Sequence, residues 1–285
     1  MKRFISVFVI ALLSIALLAC GKKEFAQDGT FRAFELGDNY GTPMITWADV
    51  VVKDGKVESI TLDALQGTVT EGGFAWNAKS KKELGYAYRM HEQYDLSEAN
   101  YIKYLKDKNK LEWFEQAKLI EDHFLANIGK DLAIDGVTGV TIADGGYSTV
   151  VEKALENARN NKFVDFEVSV NYGSPQVVWA EVTTKNGKVS SVFIDTIQSS
   201  ELVWNAKSKK ELGYAYRMHE QYDLSEADYI KYLKDNNKLE WFEQANLIEK
   251  AYKDNKNASL DGLTNVTITT SSYKAVVEGA FAFIK

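Results

Sequence analysis

The sequence predicts an α+β protein: two tandem copies of one small antiparallel sheet packed with helices. Three observations carry this. Trp76 to Glu121 and Trp204 to Glu249 align without gaps and differ only at Asn100/Asp228, Lys108/Asn236 and Lys118/Asn246, so one fold serves both copies. Ahead of each repeat, two strand-like runs flank Asp54-Gly55 or Asn186-Gly187. These dipeptides favour the type I′ turn, whose positive φ angles match the twist of paired strands. The repeated segment itself is patterned for helix, and strands followed by helices read as an α+β arrangement.

The chain opens with Lys2 and Arg3, then a nearly unbroken apolar run from Phe4 to Leu18 in which only Ser6 and Ser14 are polar. A helix crossing the hydrocarbon needs about 20 apolar residues. The run is short for that and fits an export signal; an uncleaved N-terminal anchor is the alternative. Either way the remainder is expected outside the cytoplasmic membrane. Cys20 is the single cysteine, which excludes a disulfide or a thiolate cluster within the chain. Residues 21–30 read as a tether, 31–158 as the first domain and 159–285 as the second. The join falls near the polar stretch Asn157 to Asn161.

Within each copy, Asn39-Tyr40-Gly41-Thr42-Pro43 matches Asn171-Tyr172-Gly173-Ser174-Pro175, and Trp47 matches Trp179. Val50 to Lys53 and Lys56 to Ile60 form the expected hairpin, as do Val182 to Lys185 and Lys188 to Val192. Leu111, Phe114, Ala117, Leu119 and Ile120 approximate an apolar helix stripe, with Asn109, three residues before Glu112, as its start signal. A strand is expected through residues 135–141, then a short helix from Tyr147, loosely repeated from Tyr273.

Composition limits the function. The apolar fraction is 45%, the charged fraction 26% and the formal net charge −6. Lysines alternate with acidic residues, so no basic face exists to displace counterions from nucleic acid. No Ser-His-Asp order or carboxylate pair stands out as hydrolytic machinery. His91 and His219 are repeat equivalents without a second ligand at metal-binding spacing, and His123 has no counterpart, so no metal site is expected.

The stretch Asp135-Gly136-Val137-Thr138-Gly139-Val140-Thr141 recurs as Asp261-Gly262-Leu263-Thr264-Asn265-Val266-Thr267. Gly136 and Gly139 allow close backbone approach and positive φ. Thr138 and exposed amides can donate to phosphate oxygens. Asp135, itself anionic, is expected to order the turn by bonding backbone amides or to help a modifying enzyme recognise the site. Asn265 replaces the second glycine, and asparagine accepts positive φ better than most side chains.

This motif resembles the attachment sequence of the FMN-binding domain shared with the C subunit of sodium-pumping quinone reductases and the G subunit of Rnf complexes. In that family the last threonine carries FMN through a phosphoester. The resemblance implies that Thr141 and Thr267 are anchors for covalent FMN, two per chain, surrounded by Asp135, Gly136, Thr138 and Gly139 in one copy and Asp261, Gly262 and Thr264 in the other. Leu17-Leu18-Ala19-Cys20 is similar to a bacterial lipobox, which implies lipidation of Cys20. Tandem copies on a lipoprotein resemble the PplA-type surface flavoproteins of Gram-positive extracellular electron transfer. That likeness implies a flavin transferase using FAD and Mg²⁺, electrons from membrane quinol, and external acceptors such as ferric iron. Covalent attachment also suits an exported protein, because a cofactor lost outside the cell is not recovered.

For the isoalloxazine ring, the expected contacts are Gly85, Tyr86, Tyr88 and Met90, with Gly213, Tyr214, Tyr216 and Met218 in the second copy. Tyrosine stacks on a ring, methionine packs against it, and the glycine allows close approach; the alternative is that these are core residues. Arg89 and Arg217 face the phosphate, the ring edge or solvent. Two rival functions remain: a surface lipoprotein that binds a carbohydrate or peptide through the Tyr-rich segments, and a structural spacer.

Overall fold

The computed structural model describes residues 24 to 285; the export signal and Cys20 lie outside the described residues. Strands β1 (Gly29–Asn39), β2 (Thr42–Lys53), β3 (Lys56–Thr70) and β4 (Gly73–Trp76) form one antiparallel sheet in sequential order. Helices α1 (Lys81–Leu84), α2 (Glu98–Asp107), α3 (Trp113–Ala126) and α4 (Tyr147–Arg159) follow. The second copy repeats this with β5 (Lys162–Asn171), β6 (Ser174–Lys185), β7 (Lys188–Ser200), β8 (Val203–Trp204), α5 (Lys209–Leu212), α6 (Glu226–Asp235), α7 (Trp241–Asp254) and α8 (Ser271–Ala282). The architecture is α+β with two sheet copies, as the sequence predicts.

Local chemistry explains the elements. Asp54-Gly55 (φ 53° and 74°) and Asn186-Gly187 (φ 54° and 71°) turn the expected hairpins. A strand not anticipated, β1 or β5, precedes each hairpin and turns at Tyr40-Gly41 or Tyr172-Gly173, again with positive φ at both residues. In α4, Tyr147, Val150, Val151, Ala154, Leu155 and Ala158 line one buried face, the spacing that lays a helix on a sheet. This face packs on β1 and β2, as α8 does on β5 and β6, while α3 and α7 cover β3 and β7.

Four expectations are corrected. Residues 135–141 are not a strand: two successive turns close there, with Val137 N donating to Ile134 O and Val140 N to Val137 O. Gly136 and Gly139 at φ 85° and 87° cannot continue an extended chain. Asn109 does not start α3; it lies at φ 50° just beyond α2, and the cap is Glu112, in a capping box with Glu115. The helix from Tyr147 runs 13 residues and is no shorter than α3 by more than one turn. Of the tether expected over 21–30, the described part is packed: Phe25 is fully buried, and β1 begins at Gly29.

The two copies share one apolar core. Phe31 stacks on Phe163 with centroids 4.6 Å apart, and Phe34 meets Phe166 at 5.1 Å. The contacts of Arg32 depart from the pseudo-symmetry. Arg32, held by Asp49 at 2.8 Å, also pairs with Asp165. Gly279 on α8 makes room, since a Cβ there would lie 1.9 Å from an Asp165 carboxylate oxygen. Among the described residues no helix is long and apolar enough to cross a membrane.

Candidate functional site

The turn that carries Thr141 is fastened from beneath by one side chain. Gln116 on α3 is 1% exposed, and its Oε1 accepts from Thr141 N (2.7 Å), Thr141 Oγ1 (3.3 Å) and Ile142 N (3.1 Å). Its Nε2 donates to Leu111 O at 3.1 Å and to Met90 Sδ at 3.5 Å. Gln244 repeats the arrangement, accepting from Thr267 N (2.6 Å), Thr267 Oγ1 (3.3 Å) and Ile268 N (3.1 Å) and donating to Leu239 O and Met218 Sδ. A single buried amide thus joins the threonine to the methionine segment in both copies.

The rest of the turn alternates. Val137, Val140 and Ile142 pack against the core, while Asp135, Gly136, Thr138, Gly139 and Thr141 are exposed. Leu263, Val266 and Ile268 pack alike, with Asp261, Gly262, Thr264 and Thr267 exposed. Asn265 takes φ 67°, so it adopts the left-handed conformation that Gly139 holds. The amide-bonding role expected of Asp135 is not found. Carbonyl-to-amide bonds close both turns, and Asp135 makes no hydrogen bond among the described residues.

Thr267 lies on the wall of a cavity of about 900 Å³. Lys209 on α5, Trp241 on α7 and Tyr273 on α8 line it together with Tyr216 and Met218, and the exposed Tyr172 and Tyr222 stand at its wall. Ser199 also lines it, and its Oγ is buried without a hydrogen-bond partner among the described residues. In the first copy Gly67 stands at the Ser199 position, where a Cβ would meet the Phe74 ring at 2.0 Å. The two sites therefore differ at this wall.

The walls are fixed by buried polar groups. Glu112, fully buried, accepts from Trp113 N (2.8 Å), Met90 N (3.2 Å) and the Tyr101 hydroxyl. Glu240 does the same for Trp241, Met218 and Tyr229. Trp113 Nε1 donates to Tyr147 Oη at 3.1 Å, and Trp241 Nε1 to Tyr273 Oη at 3.0 Å. Lys81 Nζ lies 5.1 Å from the Tyr88 ring centroid and 5.5 Å from that of Trp113; Lys209 Nζ lies 4.8 Å from Tyr216 and 5.8 Å from Trp241. Burial pushes both lysines down to about 8, against the opposing pull of Asp63 or Asp195. Burial pushes the Tyr88 and Tyr216 phenols up to about 12.

The expected ring-contact residues separate. Tyr216 and Met218 share the cavity with Thr267. Tyr86 and Tyr214 turn away, each packing edge-on against Phe114 or Phe242 at 5.0 Å and donating to Glu115 or Glu243. Gly85 and Gly213 end α1 and α5 at φ 52° and 54°; neither Gly213 nor Tyr214 lines the cavity. Arg89 and Arg217 are loop clamps, donating to Gln93 O and Leu96 O, or Gln221 O and Leu224 O, over a tyrosine ring at 4.3 Å. His91 and His219 meet backbone carbonyls. No group of three metal-ligating side chains occurs among the described residues.

Sequence reasoning missed Gln116 and Gln244. The signal was present: Gln116 shares one helix face with Trp113, Ala117 and Ile120, a polar residue on an apolar stripe. Lys81 and Lys209 carried none, because lysine is ordinarily solvated. Compared with known proteins, the chain matches no family model, no curated protein and no solved structure.

Chemically, the site offers an exposed hydroxyl fixed in place, flat aromatic walls, an unpartnered buried hydroxyl and a buried cation. Such a cavity falls within the size range of small-molecule and cofactor sites. Flat aromatic walls and a buried cation suit a planar, anionic molecule.

Proposed function

We propose that the chain is a lipid-anchored extracytoplasmic electron carrier, with FMN esterified to Thr141 and Thr267. It takes electrons from membrane quinol and passes them to external acceptors such as ferric iron. The observation that carries this reading is the paired geometry of Thr141 on Gln116 and Thr267 on Gln244, together with the aromatic cavity beside Thr267. The motif resemblance supplies the cofactor's identity. The export signal and lipobox-like Cys20 supply the location.

The residues fit the group. Thr267 would hold the phosphate, and Tyr216, Met218 and Trp241 would flank the ring. Ser199 Oγ and Lys209 would supply a hydrogen-bond donor and a positive charge. When bound, FMN supplies one- and two-electron chemistry, and the protein sets its position, exposure and potential. Exposure of Thr141 and Thr267 suits modification by a separate flavin transferase, which must reach each hydroxyl. An open rim suits acceptors too large to enter a pocket.

Co-expression with a flavin transferase tests this. The purified protein should be yellow and stay yellow after denaturation. Its intact mass should show up to two FMN adducts, both lost in the Thr141→Ala, Thr267→Ala variant. Colour that washes out on unfolding contradicts covalent attachment.

A further inference from the structure

We infer that Lys81 and Lys209 are the counter-cations of the two sites, positioned to stabilise the negative charge that a bound ring gains on reduction. The inference rests on the flavin reading above and adds residues outside the attachment motif.

The geometry isolates these two ammonium groups. Lys81 and Lys209 are 7% and 8% exposed, and lysine is almost never buried unless paired. Yet neither makes an ion pair within 4 Å among the described residues. The next lysine in each copy has a carboxylate partner: Lys82 pairs with Glu121, and Lys210 with Glu249. The other candidates, Asp63 and Asp195, are occupied. Asp63 accepts from Ser80 Oγ (2.6 Å), Lys82 N (3.0 Å) and Ala64 N (2.8 Å), and Asp195 has the equivalent three donors. Each ammonium is left over two aromatic rings, and Lys209 lines the cavity shared with Thr267.

The surroundings of Lys209 are Asp195 on β7, Tyr216, Trp241 on α7, Lys210 on α5 with its partner Glu249 on α7, and Tyr273 on α8; Arg217, which donates to two backbone carbonyls, and the exposed Glu220 also line the cavity. Around Lys81 they are Asp63, Tyr88, Trp113, the Lys82–Glu121 pair and Tyr147. The carboxylates of Asp63, Asp195, Glu121 and Glu249 are hydrogen-bonded elsewhere, and burial holds the phenols neutral. Of the described cations that line the cavity, Lys209 is therefore the one whose donors are not already spent on backbone carbonyls, as those of Arg217 are. A dihydroquinone donor releases two electrons and two protons. If the ring takes both electrons and one proton, the second proton leaves to solvent and the ring gains one negative charge. The ammonium answers that charge without giving up its own proton.

The test uses flavin-loaded Thr141→Ala protein, which reports Thr267 alone, with midpoint potential measured from pH 6 to 10. With Lys209 present, the potential should show a break near 8. Lys209→Met should disfavour reduction about tenfold below that break, equivalent to ~30 mV for a two-electron couple, and should remove the break. Lys209→Arg should restore the potential and keep it high above pH 8. Independently, the ε-carbon NMR signal of Lys209 should titrate at higher pH once the ring is reduced, a readout that needs no lysine variant. Potentials unmoved in Lys209→Met, or a lysine titration insensitive to reduction, overturns the inference while leaving the flavin reading intact. Protein whose intact mass lacks flavin overturns both.

Discussion

Trp76 and Trp204 stack with centroids 6.3 Å apart and planes 24° from parallel, and each indole N–H donates 2.9 Å across to the other copy, Trp76 to Ser169 O and Trp204 to Gly37 O. Gly37 and Ser169 are themselves repeat equivalents, so the pair marks a local two-fold relation between the copies. The repeat thus carries an interface between its own copies, and the shared core should unfold as one unit.

The first prediction concerns that pair. Trp76→Ala and Trp204→Ala should each destabilise the protein by about 2–4 kcal/mol. A double-mutant cycle should give a coupling of about 1 kcal/mol, the worth of an aromatic pair beyond its area. Urea unfolding of the four proteins measures this. Two separate transitions in the wild-type protein would contradict a common core.

The second concerns the buried amide. Gln116→Met removes the acceptor of two backbone amides and one hydroxyl, leaving the amides unpaired at a cost of about 1–3 kcal/mol. Loading at Thr141 should fall while loading at Thr267 stays unchanged. Peptide mass mapping after co-expression with the transferase separates the two sites. Equal loading at both would mean that the glutamine plays no part in presenting the threonine.

Much of this fold was legible because its signals are local. The Asp54-Gly55 and Asn186-Gly187 turns were read from two residues each, and the duplication from identity alone. The β1–β2 turn was not, because Tyr40 is an unusual residue at φ 51° and gives no propensity signal. The motif at 135–141 has the Val/Thr content of a strand, and only its two glycines betray consecutive turns. Tyr216 and Met218, read from the sequence as one group with Tyr214, do line one cavity, but Tyr214, two residues from Tyr216, faces Glu243 instead, as Tyr86 faces Glu115. A 3₁₀ turn at Gly85–Ala87 sends neighbouring tyrosines to different sides, and sequence spacing does not reveal that.

The third prediction is a pH dependence. Lys81 and Lys209 titrate near 8 when folded, against 10.5 for the free side chain. Between these values the unfolded chain holds more protons than the folded one, so unfolding free energy should rise with pH. The lysine contribution should be on the order of 1 kcal/mol each between pH 8 and 10. Above about pH 10 the tyrosines raised to about 12, Tyr88 and Tyr216 among them, act in the opposite sense. The Lys81→Met, Lys209→Met variant should be more stable than wild type at pH 7 and should lose the rise. A parallel pH profile for both proteins would rule out titration of these lysines on unfolding.

The fourth separates the two turns. Gly139→Ala places a side chain at φ 87°, with Cβ 3.1 Å from Leu119 Cδ1, and should cost about 1–2 kcal/mol. Asn265→Gly, at φ 67°, should change stability by less than about 1 kcal/mol. Thermal unfolding of both variants checks the contrast; similar losses would mean that the two turns do not share a conformation.

The most direct measurement is the intact mass of protein isolated from its native host. Mass beyond the mature chain and its lipid, equal to one or two FMN groups and mapping to Thr141 and Thr267, is the predicted result. A mass accounted for by polypeptide and acyl chains alone would contradict the electron-carrier account.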